Sequence, residues 1–293
     1  AIVGLSIAQV NTIVSQNLAS MLETGSIVAL RLANRLINFP LGIFAMGIST
    51  AIFPTLSRLV AKGEMGDFRK TFSFGLRVVF FITIPSAVGM AFLRVPIVRL
   101  LFESGEFTAV DTQATAYALL FYAPGLFAQS AIQIITRGYY SLQDTITPVK
   151  VGLSTVVINF LLSLMFLKWT TLGHGGLALA FSITSILNML IALFILRKKL
   201  GGVDGMGLLS TFVKATIGSL VMGGAAYYTS SYLGFVVDTG RTLGRLIQTF
   251  GAIGVGVVVY LLASIALRME ETQFIWNLVR ERFSRKTSKG TED

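Results

Sequence analysis

Two arginines and two asparagines recur at helical spacing within one long apolar segment of the sequence. They are Arg31, Asn34, Arg35 and Asn38. Because they stand at i, i+3, i+4 and i+7, a helix places all four side chains on one face. Guanidinium groups stay charged at physiological pH and bind phosphate or carboxylate oxygens in pairs. The pattern predicts a helix face that meets a water-filled cavity or an anionic ligand.

The composition indicates that this helix lies in a membrane. The mean hydropathy is +0.75, and only 13% of the residues are charged, against about a quarter in soluble proteins. Arg35 lies about eight residues into the apolar segment, and at ~1.5 Å per residue that is about 12 Å deep. An arginine near the bilayer centre costs roughly 2.5–3.5 kcal/mol, so a cavity or ligand must offset that cost. Snorkelling to the outer interface is the alternative for both arginines.

The positions of long apolar segments predict an all-α polytopic membrane protein with eight transmembrane helices. The predicted spans are 1–22, 27–53, 72–94, 112–136, 148–168, 174–196, 208–232 and 245–267. Most of the 24 lysines and arginines fall in alternate connections and after residue 267. The positive-inside rule assigns those connections, and both ends of the chain, to the cytoplasm. The net charge of +10 therefore indicates membrane orientation, and no nucleic-acid partner is expected.

Groups for acid–base, metal or nucleotide chemistry are missing from the predicted spans. None of the 14 Asp and Glu residues lies within a span, and the chain has no cysteine. The one histidine, His174, stands in a predicted turn and is interpreted as a turn residue near the interface. A proton relay or a zinc site needs buried carboxylates or several His and Cys ligands. We expect no cofactor, no metal and no nucleotide-binding loop of the GxxxxGK[ST] type.

Helix breakers and polar residues punctuate the predicted spans. Pro40 with Gly42 predicts a kink that is a candidate hinge, and Pro85 and Pro124 predict two more. Ordinary bending of membrane helices is the alternative. Amides and hydroxyls elsewhere in the spans are interpreted mainly as interhelical hydrogen bonds. The amphipathic stretch from Thr55 to Arg77 predicts a cytoplasmic interfacial helix and turn.

Several stretches together resemble one known family. They are Arg35-Leu-Ile-Asn-Phe-Pro-Leu-Gly-Ile-Phe44, Ala51-Ile-Phe-Pro-Thr-Leu-Ser-Arg58, Pro96–Thr108, Gly138–Lys150 and Gly173–Leu179. In this order they are similar to the MurJ (MviN) family of lipid II flippases, over roughly residues 1–200. Any one of these stretches alone is a weak signal, whereas their order along the chain is specific.

The resemblance implies a fourteen-span fold of the multidrug/oligosaccharidyl-lipid/polysaccharide (MOP) exporter superfamily. Residues 1–200 are then the C-terminal six-helix lobe, and 201–268 are two extra helices that form a lipid groove. Residues 269–293 are a cytoplasmic amphipathic helix and disordered tail. The chain is interpreted as a fragment whose partner is the missing N-terminal lobe of the same protein. The family also implies a multi-pass protein of the bacterial inner membrane.

The resemblance further implies a transporter, not an enzyme, that moves lipid II from the cytoplasmic to the outer leaflet by alternating access. An arginine at the position of Arg35 lies in the family's cavity and is needed for function; Arg31 joins it by the helical-face argument. Both are expected to bind the pyrophosphate, while Asn34 and Asn38 contact sugar or peptide. The isoprenoid tail is expected to stay among membrane lipids along the last two helices.

Three other functions remain open from the residues. Another exporter of the same superfamily could move polysaccharide-linked lipid or drugs. A membrane glycosyltransferase or polymerase would need an acidic catalytic residue, for which Glu103, Glu106 and Asp111 are candidates. A scaffold of a cell-wall assembly complex would bind lipid II without transporting it.

Overall fold

A computed structural model describes residues 25–272, together with Leu18 and Leu22, and it contains helices and turns only within them. The helices are α1 (Ser26–Pro40), α2 (Met46–Ala61), α3 (Met65–Phe92), α4 (Arg94–Phe102), α5 (Ala109–Tyr122), α6 (Gly125–Ser141), α7 (Ile146–Trp169), α8 (His174–Leu200), α9 (Gly205–Val236) and α10 (Thr242–Ala266). A π-helical turn, Leu41–Ala45, joins α1 to α2. The predicted span 1–22 and the tail beyond residue 272 lie outside the described range.

Six helical segments of the described residues are long and apolar enough to cross a membrane, or seven if α5 and α6 form one bent span. These seven correspond one to one with the predicted spans that begin at residues 27, 72, 112, 148, 174, 208 and 245. The prediction of an all-helical, multi-pass membrane protein is confirmed. The structure adds the short helix α4, which the sequence analysis did not anticipate.

The two faces of the helical array differ in charge. The turns at 62–64, 142–145 and 201–204 and the residues after α10 lie at one end, here called the basic face. The connections at 103–108, 170–173 and 237–241 lie at the other end, here called the opposite face. Lysines and arginines of the described residues concentrate at the basic face, which agrees with the charge asymmetry between alternate connections in the sequence.

The segment 55–77, predicted as an interfacial helix and turn, consists of the end of one long helix, a turn and the start of the next. Its first part completes α2, a three-residue turn with Gly63 at φ +74° reverses the chain, and its second part begins α3. Leu56, Phe68 and Phe72 are fully buried in the core. These apolar side chains pack against neighbouring helices, and the segment continues two of the long apolar helices.

The three prolines predicted to kink helices behave differently. At Pro40 the helix changes to π geometry, because proline has no N–H for the carbonyl one turn before it. At Pro124 the axis bends by 49° between α5 and α6. At Pro85 the helix α3 continues without interruption from Met65 to Phe92. Pro40 and Pro124 therefore interrupt their helices.

Polar side chains between the helices are bonded to each other, as interhelical hydrogen bonding predicts. Gln129 Nε2 donates to Ser185 Oγ at 2.8 Å, and Asn159 Nδ2 donates to Thr184 Oγ1 at 3.1 Å. Ser182 Oγ lies 2.6 Å from the carbonyl of Phe121, at the break between α5 and α6. These contacts connect α8 to α5, α6 and α7, and they hold the lobe together across the bent span.

Candidate functional site

Helix α1 separates its polar and apolar residues as the sequence spacing requires. Arg31, Arg35 and Asn38 are exposed, and Asn34 is half-buried. The opposite side of the helix carries small and branched apolar side chains that pack into the core. These are Ala29, Leu30, Ala33, Leu36 and Ile37. Packing of that side fixes the rotation of α1, and it leaves the two guanidinium groups on an open face.

Neither guanidinium group of this face is paired with a carboxylate among residues 25–272. By contrast, Arg77, Arg99, Arg241 and Arg245 each form an ion pair with Asp or Glu. No acidic residue occurs in α1 or in the turn that follows it. Within the described part of the chain, the charge of Arg31 and Arg35 is therefore available to an anion.

The two asparagines of the face bond to each other. Asn38 Nδ2 donates to Asn34 Oδ1 at 2.7 Å across one helical turn. The pair leaves one amide oxygen and one amide nitrogen to face outward with the arginines. The arrangement offers two cations beside neutral donors and acceptors, which suits a ligand with an anionic group and neutral polar groups.

An apolar groove begins where the polar face ends. Its cavity volume is about 400 Å³, and Phe39, Pro40 and Phe44 form its edge on the side of α1. The rest of its lining comes from α3, the start of α4, α9 and α10, and it is apolar apart from the hydroxyls of Ser86 and Tyr260. Phe39 is 67% exposed, so its ring lies at the border between the arginines and the groove.

Small residues keep the groove open on the side of the last two helices. Gly256 of α10 and Ala226 of α9 line it, and a side chain on Gly256 would contact Ala226 Cβ at 3.4 Å. On α3, Gly89 lies beside Met222 in the same way. Larger residues at these positions would narrow the space between the three helices. The apolar lining of the groove suits an apolar ligand.

Of the three acidic residues considered as catalytic candidates for an enzyme, two are engaged in structural contacts. Glu103 pairs with Arg245 at 3.1 Å and accepts a hydrogen bond from Thr112 at 2.8 Å. Asp111 forms a capping box with Thr108 at the start of α5. Glu106 is exposed in the turn before α5. These contacts argue against a catalytic pair at this face, because the two bonded carboxylates are already engaged.

His174 begins α8 and joins it to α5. Its Nε2 lies 3.0 Å from the carbonyl oxygen of Ala114, and its ring meets Tyr117 edge to face at 5.4 Å between centroids. Among the described residues, no group of three or more His, Cys, Asp or Glu side chains has a geometry that could hold a metal ion.

The sequence analysis missed the ion pairs that bind α10 to the rest of the molecule. Arg245 reaches Glu103, which is distant in sequence, and Arg77 reaches Glu270 and Glu271. Charge pairing across such separations has no periodic signature in a single sequence. Arg245 stands at the very start of a predicted span, where an arginine can reach the interface at little cost, so its position gave no signal of a partner.

The fold and the site define the class of protein: a multi-pass helical membrane protein with an open cationic helix face beside a lipid-sized apolar groove. A family model described as "Lipid II flippase MurJ" matches residues 1–243. The chain belongs to the MurJ family.

Individual relatives and solved structures agree with this assignment. The probable lipid II flippase of Vibrio cholerae is 37% identical over 89% of this chain and 49% of its own length. The corresponding protein of Haemophilus influenzae is 35% identical over 78% of this chain and 45% of its own length. A structure titled lipid II flippase MurJ in an inward closed conformation has a TM-score of 0.71 at 32% identity, covering 89% of this chain and 51% of that one.

A more distant likeness shows the fold alone. A MOP superfamily transporter from Pyrococcus furiosus has a TM-score of 0.60 at 13% identity, covering 92% of this chain and 64% of that one. The chain spans about half the length of the curated relatives it matches. The activity of a whole transporter is therefore treated as a proposal.

Proposed function

We propose that this chain supplies one lobe and the lipid groove of a lipid II flippase. In this proposal residues 1–200 are the C-terminal transport lobe, 201–268 are the groove helices and 269–293 are a cytoplasmic tail. The second lobe of the same protein completes the cavity. The observation that carries the proposal is the junction at Phe39, where an apolar groove begins beside the helix face that holds Arg31 and Arg35, two arginines without a carboxylate partner among the described residues.

The head group of lipid II matches the polar face in charge. Its pyrophosphate is anionic, and Arg35 and Arg31 would each offer it a fork of N–H donors. The face holds no carboxylate to compete for them within the described residues. Asn34 and Asn38 would contact the sugar or peptide, because their outward amide atoms complement neutral hydroxyls and amides.

The tail of lipid II matches the groove in polarity. Each methylene removed from water contributes about 0.8 kcal/mol, so an isoprenoid chain favours this apolar surface or the lipid around it. A head group bound at Arg35 would place the first isoprene units at Phe39 and Phe44. The head therefore crosses along α1 while the tail remains at the lipid-facing side.

Movement is assigned to the break after Pro40. Five π-helical residues, with Gly42 among them, separate the polar face of α1 from α2. Single π turns interrupt the hydrogen-bond ladder and often mark functional sites in helices. Bending at Pro40 and Gly42 would turn the arginine face from the cytoplasmic to the outer side, which is alternating access. The positive-inside rule assigns the basic face to the cytoplasm of the bacterial inner membrane.

A complementation experiment tests the proposal. Cells whose only lipid II flippase is the complete protein carrying Arg35→Ala are expected to lyse, with normal levels of the variant in the membrane. The matched control is Arg241→Ala, since Arg241 is an exposed arginine of the opposite face. Normal growth on Arg35→Ala alone would overturn the assignment. Loss of a different lipid-linked saccharide, with lipid II transport intact, would favour another exporter of the superfamily.

A further inference from the structure

One arginine fastens the start of α10 to the helices of the lobe. Arg245 Nη2 lies 3.1 Å from Glu103 Oε1, and Nη1 donates to the main-chain carbonyl of Glu103 at 2.8 Å. Its Nε donates to the carbonyl of Thr239 at 2.9 Å. All three nitrogens of the guanidinium group are engaged, so the side chain joins the α9–α10 connection to the turn before α5.

The carboxylate that receives Arg245 is held from the other side as well. Glu103 Oε2 accepts from Thr112 Oγ1 at 2.8 Å and lies 3.4 Å from Arg99 Nε. The side chains of Glu103 and Arg245 are 16% and 19% exposed. An ion pair so shielded from water and so fully bonded resists rearrangement, because opening it deprives Arg245 of its carboxylate partner among the described residues.

A second ionic contact fastens the far end of α10 at the basic face. Arg77 of α3 lies 3.1 Å from Glu270 and 3.7 Å from each of Glu271 and Asp204. Glu271, only 3% exposed, also accepts from Thr211 of α9 at 2.9 Å. This cluster joins α3, the loop before α9, α9 itself and the residues that follow α10.

Between these two ends, α10 bonds directly to the wall of the groove. The hydroxyl of Tyr260 donates to the carbonyl of Phe81 at 2.7 Å, and the two rings lie 5.3 Å apart. Both residues line the groove. α10 is therefore connected to the turn after α4 at the opposite face, and to α3 near the middle and at the basic face.

We propose that Arg245 and Arg77 are positioning residues, which clasp α10 to the lobe at both membrane faces and hold the α10 wall of the groove at a constant distance from the α3 wall. These walls then move as one body with α4 and α5, and bending is confined to the break after Pro40, at the groove's α1 edge. The ionic contacts that hold α10 lie within this chain and do not depend on which ligand the groove binds. Only the identity of the groove's occupant, a polyprenyl tail, rests on the proposed function.

Distances between spin labels in the complete protein in lipid vesicles test the proposal. The chain has no cysteine of its own, so labels can be placed at Val110→Cys with Leu243→Cys for the opposite face. Lys70→Cys with Ile265→Cys reports the basic face. All four positions are exposed. We expect one narrow distance distribution for each pair, unchanged when lipid II is added. A broad or two-peaked distribution in the unmodified background would overturn the proposal.

Substitutions then test whether the two ionic contacts of α10, here called the clasps (Arg245 with Glu103, and Arg77 with Glu270 and Glu271), hold the helix in place, or whether ordinary packing does. Arg245→Ala is expected to broaden the opposite-face distribution alone, and Arg77→Ala the basic-face distribution alone. Arg245→Lys keeps the charge but replaces three engaged nitrogens by one, and it is expected to give a distribution of intermediate width. If Arg245→Ala fails to fold, Glu103→Gln serves instead, because it keeps the shape and removes the charge. The control Arg241→Ala breaks an exposed pair and should change neither distribution.

Two outcomes contradict the clasps. The first is that Arg245→Ala and Glu103→Gln give the same narrow peak as Arg241→Ala. The second is that both label pairs broaden together in every variant, as general loosening would cause. Since no label distance depends on transport, the clasps can fail while the proposed function stands, and the reverse also holds.

Discussion

The side chain of Asn38 donates a hydrogen bond to Asn34 Oδ1 at 2.7 Å, on the same face of α1 as Arg31 and Arg35. The amide pair satisfies part of its own hydrogen bonding. Arg31 and Arg35 have no carboxylate within the described residues to pair with. Within that part of the chain the face carries two positive charges and no counter-charge, so an external anion is the natural partner.

Removing the proline before the π turn tests the hinge. Pro40→Ala supplies an N–H to the carbonyl of Leu36 and favours continuous α-helix through 41–45. We expect higher thermal stability and transport slowed about tenfold, equal to ~1.4 kcal/mol on the barrier. The control is Pro54→Ala, at an exposed proline inside α2. Equal transport rates for both variants in lipid vesicles would remove Pro40 from the mechanism.

Two adjacent valines of α10 test the groove. Val257 lines it and Val258 does not, although both are about half exposed, at 50% and 56%. Val257→Trp is expected to fill the groove and weaken binding of a polyprenyl lipid. Displacing two methylenes would cost about 1.6 kcal/mol, more than tenfold in affinity. Val258→Trp should bind normally. Equal affinities for the two variants, measured with a fluorescent polyprenyl phosphate, would place the tail elsewhere.

One hydroxyl bonds to the backbone at the bend between α5 and α6. Ser182 Oγ lies 2.6 Å from the carbonyl of Phe121 and 3.2 Å from that of Tyr122, where Pro124 brings no N–H. Ser182→Ala is expected to lower the free energy of unfolding by about 0.6 kcal/mol, and by at most about 1.7, as for other membrane hydrogen bonds. Ser154→Ala serves as control, since Ser154 is exposed and bonds within its own helix. Denaturant unfolding in micelles compares them, and equal losses would refute the role.

A loop of the basic face is expected to weaken in acid. Partial burial raises the pKa of Asp144, but hydrogen bonds from Lys199 and Thr147 outweigh it and lower the pKa to about 2. The stability that Asp144 provides is present above its unfolded pKa of about 3.9 and is lost as the pH falls towards 2. The difference in unfolding temperature between wild type and Asp144→Asn should therefore shrink over that interval. A difference that stays constant with pH would contradict the shifted pKa.

Periodicity in the sequence was sufficient to place the spans and the polar face. Apolar runs predicted the seven helical segments of the described residues, and the i, i+3, i+4, i+7 spacing put Arg31, Asn34, Arg35 and Asn38 on one open face. Pro40 is predicted to interrupt its helix because proline has no backbone N–H, and the π turn follows it directly. These features are local, so a single sequence carries them.

Features that depend on distant packing were not predictable. The stretch 55–77 has the amphipathic pattern of a surface helix, yet Leu56, Phe68 and Phe72 are buried against neighbouring spans. The Arg245–Glu103 pair joins residues far apart in the sequence. In both cases the outcome is set by which helices become neighbours, and that information is absent from the spacing of residues along one chain.

Binding of lipid II to the purified complete protein tests the central claim most directly. Removing one charge-assisted hydrogen bond to the pyrophosphate costs about 1.5–3 kcal/mol, or roughly 10- to 150-fold in affinity. Arg35→Ala is therefore expected to bind lipid II at least about tenfold more weakly than wild type, with Arg31→Ala affected less. Arg241→Ala should bind as wild type does. If Arg35→Ala binds lipid II as tightly as Arg241→Ala, the open face of α1 is not the head-group site.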